Sequence, residues 1–503
     1  MTWFLFLLAL FPLILIIRKY QKRKGAVPSP PAPPGLPFIG NLLQFYNTVP
    51  HLYLWKLSKK YGPVMSLQLG FVPTLVISSA KMAKVALKTQ DLEFAGRPPL
   101  ISHQKLSYNG LDIAFSTYND YWREMKKICV IHLFSAKRVQ SFHPIREDEV
   151  SKMMKKISKL ASASEIINLS EIFLSLTCSI ICRIAFGKSY NDEGSARSKF
   201  HDLLDEAQAV MGGFFVSDYF PLLGWMDKLS GMSTRLEKAC KELDDFYQRV
   251  IEEHLDEKRT TIERDDIIGV LLQLRKDQLF TNIDLTFDHI KAVIMDIFLA
   301  GTDTSATTLV WAMTRLMKNP GVMKKVQEEV RNNITTKGII CENDLKKLSY
   351  LKLVVKETLR LHPPAPLLLE RETTQKCYIN GYEIGPKTMV YVNAWAIGRD
   401  PESWECPDEF FPERFMGTSI DYLGQDFEFI PFGAGRRRCP GMYLGTVTVE
   451  LALANLLYSF DWELPPSMKK EDIDSDELRS ITIHNKNAIC HFVEQYHVHM
   501  DCN

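Results

Sequence analysis

The chain lacks a surplus of charge of either sign. Its 61 lysines and arginines face 60 aspartates and glutamates, a formal net of +1. That balance excludes the strong basic field that nucleic acid attracts, so no nucleic acid is expected as a partner. It also lacks a Cys-x-x-Cys pair or an even cysteine framework, its ten cysteines being scattered. This excludes a disulfide-stapled scaffold and suits reduced thiols facing a cytosol. Cys178 and Cys182, one helical turn apart in an apolar stretch, read as core residues. No internal repeat occurs. No Gly-x-Gly-x-x-Gly run follows a strand pattern and no flavin-binding segment is present, so any electrons must come from another protein. Past Pro37 no linker-like stretch interrupts the chain. Length alone, 503 residues, would suggest two or three domains. The missing linkers argue instead for one catalytic body over 38–503.

What is present begins with the run Phe432-Gly433-Ala434-Gly435-Arg436-Arg437-Arg438-Cys439-Pro440-Gly441. One cysteine stands between a loop rich in glycine and arginine and an apolar, helix-like stretch. A helix N-terminus offers free N–H donors and the positive end of a dipole, and both favour thiolate over thiol. Pro440 suits the first helical position, where no N–H is needed. The glycines permit close approach of backbone to a flat cofactor. The arginines can neutralise carboxylates. The structural alternative is a basic turn with a buried cysteine.

The N-terminus carries an apolar run, Trp3–Ile17, followed at once by Arg18, Lys19, Lys22, Arg23 and Lys24. A cleaved signal peptide normally has its charge first. Here the charge comes after, and the positive-inside rule places everything beyond it in the cytosol. The expectation is an uncleaved single-pass anchor over 1–20 and a basic, proline-rich linker over 21–37. Six prolines between Pro28 and Pro37 make the linker stiff and extended. Sequons at Asn168 and Asn333 would matter only on the lumenal side.

Within the body, Val72–Ser78 and Tyr378–Val392 read as short strands, the second broken by Asn380-Gly381 and Gly385-Pro386. Most of the rest is helical by pattern. A helix from about Thr286 to Lys318, stopped by Asn319-Pro320, is long enough to cross the molecule. The expected fold is mainly α with a small β-rich lobe. The tail residues Cys490, His491, His497 and His499 read as ragged surface rather than a metal site.

The long helix carries Ala300-Gly301-Thr302-Asp303-Thr304. Glycine in mid-helix costs about 1 kcal/mol relative to alanine, so a notch there makes sense if something must sit against it. Thr304 shares a face with Gly301, Ala300 and Ile297, and Asp303 is turned about 100° away, where it could lead to solvent. Glu357 and Arg360 share a face of a helix opening near Ser349. Arg414 follows in Pro412-Glu413-Arg414-Phe415, and Trp122 stands four residues before Lys126.

These motifs fall in one order, and together they resemble the cytochrome P-450 superfamily across almost the whole chain. The ten-residue run matches its cysteine signature at Phe432, Gly435, Arg437, Cys439 and Gly441. The wording of Phe94–Pro98, Tyr121–Met125 and Asn393–Asp400 resembles plant microsomal A-type enzymes, and several stretches are similar to the aldoxime-metabolising branch. The resemblance implies a cytochrome P-450 fold and haem b (iron protoporphyrin IX) held by Cys439 as axial ligand. Arg437, Trp122, Lys126 and Arg371 would hold the propionates, although lysine at 126 replaces the usual arginine. Phe432, Gly433 and Gly441 would lie against the ring. Thr304 and Asp303 would handle protons during oxygen activation. Glu357, Arg360 and Arg414 would form a buried structural network. Pocket candidates are Leu111, Ile113, Phe115, Ile297, Ala300, Gly301, Ala365 and Leu367, mostly apolar, which implies a small lipophilic or aromatic substrate.

The implied activity is insertion of one oxygen atom of O2 at the endoplasmic reticulum membrane. NADPH would serve only through NADPH–cytochrome P-450 reductase, with cytochrome b5 as a further candidate partner. Two rivals are a haem-thiolate isomerase or dehydratase, acting for example on aldoximes, and a non-catalytic haem protein.

Overall fold

The computed structural model describes residues 28–163, 165–188, 195–256, 265–277, 283–334, 338–463, 473, 476–478, 481–485 and 490–495. The anchor expected over 1–20 lies outside the described residues. The body is mainly helical, with small sheets to one side.

The long helix spans Phe287–Lys318. Thr286 caps it, exchanging bonds with His289, and the turn at Asn319 ends it where Pro320 opens the next helix, Pro320–Asn333. At ~1.5 Å per residue it runs about 48 Å. Most of its side chains are buried, as befits a helix largely hydrophobic all round. The helix Leu169–Phe186 packs along it, and Met442–Ser459 crosses it. Both Leu169–Phe186 and Phe287–Lys318 are long and apolar enough to span a membrane. Each is largely buried inside the body, so each is a core helix.

A four-stranded sheet forms the smaller lobe. Its strands are β1 (Val64–Leu69), β2 (Val72–Ile77), β3 (Arg371–Glu372) and β4 (Met389–Val392), in the order β1-β2-β4-β3. β1 and β2 form an antiparallel hairpin, and β2 runs parallel to β4 with Thr74 opposite Met389. That parallel pair joins segments more than 300 residues apart. The expected strands around Asn380-Gly381 appear as the hairpin Cys377–Ile379 and Tyr382–Ile384.

Cys490 and His491 correct the expectation of a ragged surface, while His497 and His499 lie outside the described residues. Cys490–Gln495 is a strand, pairing with Phe460–Glu463 on one side and Ile167–Asn168 on the other. Its backbone donors are taken up by two distant segments, which no local pattern announces.

Candidate active site

Cys439 sits at the end of a tight loop. Gly433 and Gly435 both have φ of 68°, the left-handed region that glycine enters freely. A Cβ at Gly435 would lie 2.1 Å from the Leu87 carbonyl oxygen, so no other residue fits. Asp91 Oδ2 accepts the Arg436 N–H at 2.9 Å, and the Phe432 carbonyl accepts the Cys439 N–H at 3.0 Å. The helix behind opens at Met442 with Gly441 as its cap. Pro440 therefore lies outside it, not at its first position. Burial pushes the Cys439 thiol up; Lys126, the N–H groups of Gly441 and Met442, and Arg438 pull it back down. Cys439 exposes surface, but that surface faces an internal cavity rather than bulk water.

The cavity is about 330 Å³ and mostly apolar. Its opposite wall is the long helix, through Ile297, Ala300, Gly301, Asp303 and Thr304. Ala300 is exposed in the middle of a buried helix because its side faces this space. Thr304 Oγ1 donates to the Ala300 carbonyl at 2.7 Å, a back-bond that bends helices. Asp303 is itself buried, and its Oδ2 lies 3.1 Å from Nε2 of the half-exposed His484. The notch at Gly301 is filled by the neighbouring helix, since a Cβ there would lie 2.7 Å from Ile181 Cδ1.

A third corner gathers three buried guanidinium groups, Arg97, Arg371 and Arg437. Arg97 donates to the carbonyls of Ala114 (2.7 Å), Leu369 (2.8 Å) and Glu370 (2.6 Å). Arg437 donates to Ala95 (3.0 Å) and Ser116 (2.6 Å) and lies 4.3 Å over the Trp122 ring. Among the described residues only Arg371 of the three pairs directly with a carboxylate, Asp91 at 3.3 Å. Burial, then mutual repulsion, lowers Arg97 to about 9 and Arg437 to about 8. Burial also lowers Arg371. Such a corner favours a ligand carrying carboxylates. Sequence reading missed Arg97; its signal was the neighbouring Gly96, where a Cβ would meet the Glu372 carbonyl at 2.6 Å.

Trp122 and Lys126 line the cavity, and each donates a hydrogen bond to backbone. The indole N–H goes to the Ile113 carbonyl at 2.9 Å and the Lys126 ammonium to the Arg438 carbonyl at 2.8 Å. Burial lowers the Lys126 pKa, and the adjacent Cys439 opposes that shift. Lys126 thus stands beside the thiol rather than in the guanidinium corner.

Of the pocket candidates, Ile113, Phe115, Ile297, Ala300, Gly301 and Ala365 line the cavity, with Phe432, Gly433 and Gly441. Leu111 and Leu367 do not. The Leu111 carbonyl accepts from the Tyr121 hydroxyl at 2.5 Å, and Leu367 packs against the cluster under the sheet. Leu368, at φ 54°, takes the place Leu367 was expected to hold. Gln208, Met211, Ile481 and Thr482 complete the roof from segments far off in sequence.

Glu357, Arg360 and Arg414 lie together away from this cavity. Both Glu357 oxygens accept from Arg360 at 2.8 Å, and Oε1 also takes Arg414 and the Phe411 N–H at 2.9 Å. Glu357 and Arg360 are fully buried.

Comparison with known proteins agrees with this geometry. The family described as Cytochrome P450 matches residues 30–492. The 5-OH-xanthotoxin synthase of Pastinaca sativa is 50% identical, over 96% of this chain and 97% of its own length. The 6,7,8-trihydroxycoumarin synthase of the same plant is also 50% identical, over 97% of each chain. Cytochrome P450 71B37 of Arabidopsis thaliana is 49% identical over 97% of each. A zebrafish cytochrome P450 solved with progesterone superposes with a TM-score of 0.76 at 25% identity, covering 89% of this chain and all of its own. A loop-held cysteine facing a threonine-bearing helix, in this fold and with these relatives, makes the chain a member of the cytochrome P450 family of haem-thiolate monooxygenases.

Proposed function

We propose that this chain is a membrane-bound monooxygenase that inserts one oxygen atom of O2 into a small, lipophilic or aromatic plant specialised metabolite. Electrons come from NADPH through a partner reductase. The observation that carries this reading is that the Cys439 sulfur and the Thr304–Asp303 wall share one apolar cavity.

The residues present fit haem. Cys439 turns its free surface into the cavity, as an iron ligand must. In the guanidinium corner Arg97 and Arg437 donate to backbone carbonyls, with no direct carboxylate partner among the described residues, which suits two propionates. Haem, when bound, supplies the oxygen-activating iron chemistry. Cys439 gives the thiolate, held by the N–H groups of Gly441 and Met442. Arg97, Arg371 and Arg437 would hold the haem carboxylates. Thr304 and Asp303 hold protons on the substrate side. Ile113, Phe115, Ile297 and Leu368 exclude water and take up an apolar substrate. Two relatives are named for making hydroxylated coumarins, which supports an aromatic substrate.

The body meets the membrane through more than the segments 1–20 and 21–37. Phe38, Phe71, Leu222, Trp225 and Leu229 are exposed apolar side chains. The Phe71 N–H donates to the Tyr219 carbonyl at 2.9 Å, tying the hairpin tip to the segment that carries Leu222 and Trp225. An apolar surface of this kind suits a lipid interface.

The test is spectral and catalytic. Wild-type protein, reduced under carbon monoxide, should show a red-shifted Soret band that Cys439→Ala abolishes. Coumarins and other aromatic metabolites should be oxidised only with NADPH and reductase. Survival of the band in the variant would overturn the ligand assignment. Substrate conversion without NADPH would overturn the monooxygenase reading in favour of an isomerase or dehydratase.

A further inference from the structure

Asp303 closes the cavity wall, but its carboxylate continues outward into one more titratable group. His484 Nε2 lies 3.1 Å from Asp303 Oδ2. The Asp303 side chain is 8% exposed and that of His484 36%, so the pair spans the step from cavity to surface. The other ring nitrogen, Nδ1, stands 3.5 Å from Thr307 Oγ1, one helical turn beyond Asp303. The charged groups that act on the imidazole are Asp303 from the long helix and Asp205 from the helix Ser195–Met211. Asp205 is exposed.

The ring is held in place rather than free. His484 and Asn485 pair antiparallel with Leu478 and Glu477. The adjacent Ile483 N–H donates to the Pro364 carbonyl at 2.9 Å, and its carbonyl accepts the Trp311 indole at 3.0 Å. Glu477 is in turn bonded to His51. The same hairpin places Ile481 and Thr482 on the cavity.

We infer that His484 is a positioning residue that conducts protons from solvent to Asp303, and through it to the Thr304 wall of the cavity. The imidazolium gives its Nε2 proton to Asp303 Oδ2, and the electron pair of that N–H bond stays on nitrogen. A solvent proton restores the imidazolium, and Asp303 releases its own proton into the cavity. Each turnover consumes two protons and two electrons to turn one oxygen atom of O2 into water. The electrons are those of NADPH delivered by the reductase, so the relay rests on the monooxygenase reading. Asp303 also raises the His484 pKa against the effect of burial. The imidazolium therefore persists above the usual histidine range and is lost as pH rises through the raised value. The bond to Asp303 contributes stability over the same window and disappears with it.

The test compares His484→Gln with wild type as reductase-driven holoenzyme. Glutamine keeps an N–H for Asp303 but cannot pass a proton on. Product formed per NADPH oxidised should fall several-fold in H484Q, with hydrogen peroxide making up the difference. Wild-type coupling should decline as pH rises through the His484 titration, whereas the H484Q profile should be flat there. Histidine NMR on the diamagnetic ferrous carbonyl holoenzyme should place His484 above the ordinary pKa of about 6.5, and Asp303→Asn should lower it. H484Q assigns the resonance; if that variant loses haem, His484→Asn replaces it. Unchanged coupling with an unchanged pH profile, or a His484 titration indifferent to Asp303→Asn, would overturn the relay while leaving the haem-thiolate reading intact. Absence of the red-shifted carbonyl band in wild type would instead remove that reading.

Discussion

At the scale of single residues, the guanidinium corner shows most clearly how charge and burial set a task. Arg97, Arg371 and Arg437 are buried and close enough to repel one another. Bonds to backbone carbonyls hold their geometry, yet those carbonyls carry no net charge. A ligand with two carboxylates therefore stabilises the folded protein as well as binding to it. Arg97→Ala should lower haem occupancy after purification and lower the melting temperature of the holoenzyme more than that of the apoprotein. The ratio of Soret to protein absorbance and two melting curves measure this. Equal destabilisation of both forms would assign Arg97 to folding alone. Lysine at 97 should rescue only in part, since it cannot serve Ala114 and Leu369 from one fork.

At the scale of elements, the long helix does two jobs on two faces. Ala300 and Thr304 open to the cavity, while Gly301 lets Ile181 come close. The Gly301→Ala change gains about 1 kcal/mol in helix propensity. Against this stands crowding of Ile181 Cδ1, where overpacking costs about 1–3 kcal/mol. Cδ1 is the free end of a side chain, so the net loss should be small, at most ~2 kcal/mol. Ile181→Val, which deletes that carbon, should restore the G301A variant when added to it. Chemical denaturation of the two single variants and the double reads the coupling. Additive losses would mean that the notch serves something other than this helix pair. The network of Glu357, Arg360 and Arg414 joins a helix to a loop in the same way. Breaking a buried pair of that kind costs roughly 3–5 kcal/mol because a charge is left uncompensated.

For the whole molecule, the proposed function makes orientation at the membrane decisive, because a membrane-bound reductase would have to reach the thiolate side. By the positive-inside rule, the basic residues that follow Ile17 would put the body on the cytosolic side of the membrane, as proposed above. The two sequons test this. Asn333 is exposed at the end of the helix Pro320–Asn333. Asn168 caps the helix Leu169–Phe186, its side chain accepting the Glu171 N–H at 3.2 Å. In microsomes neither should carry a glycan, and endoglycosidase treatment should leave electrophoretic mobility unchanged. A mobility shift that Asn333→Gln removes would reverse the topology.

The sequence by itself determined what depends on residues close together in the chain. The cysteine loop is legible because its glycines, arginines and cysteine act within ten positions. The long helix is legible because its apolar run, its cap at Thr286 and the stop at Asn319-Pro320 are local signals. From these came the family and the opposed pair of Cys439 and Thr304. Tertiary structure alone decided which distant groups meet. Arg97 joins Arg437 from 340 positions away, and His484 reaches Asp303 across 181. Leu368 lines the cavity while Leu367 packs against the sheet, a choice between adjacent residues that only the folded backbone makes. Trp122 and Lys126 keep the expected spacing but give their hydrogens to Ile113 and Arg438. The physical reason is the same in each case. A buried donor or charge takes whichever partner the packed chain brings within bonding distance, and that distance is set in space rather than along the sequence.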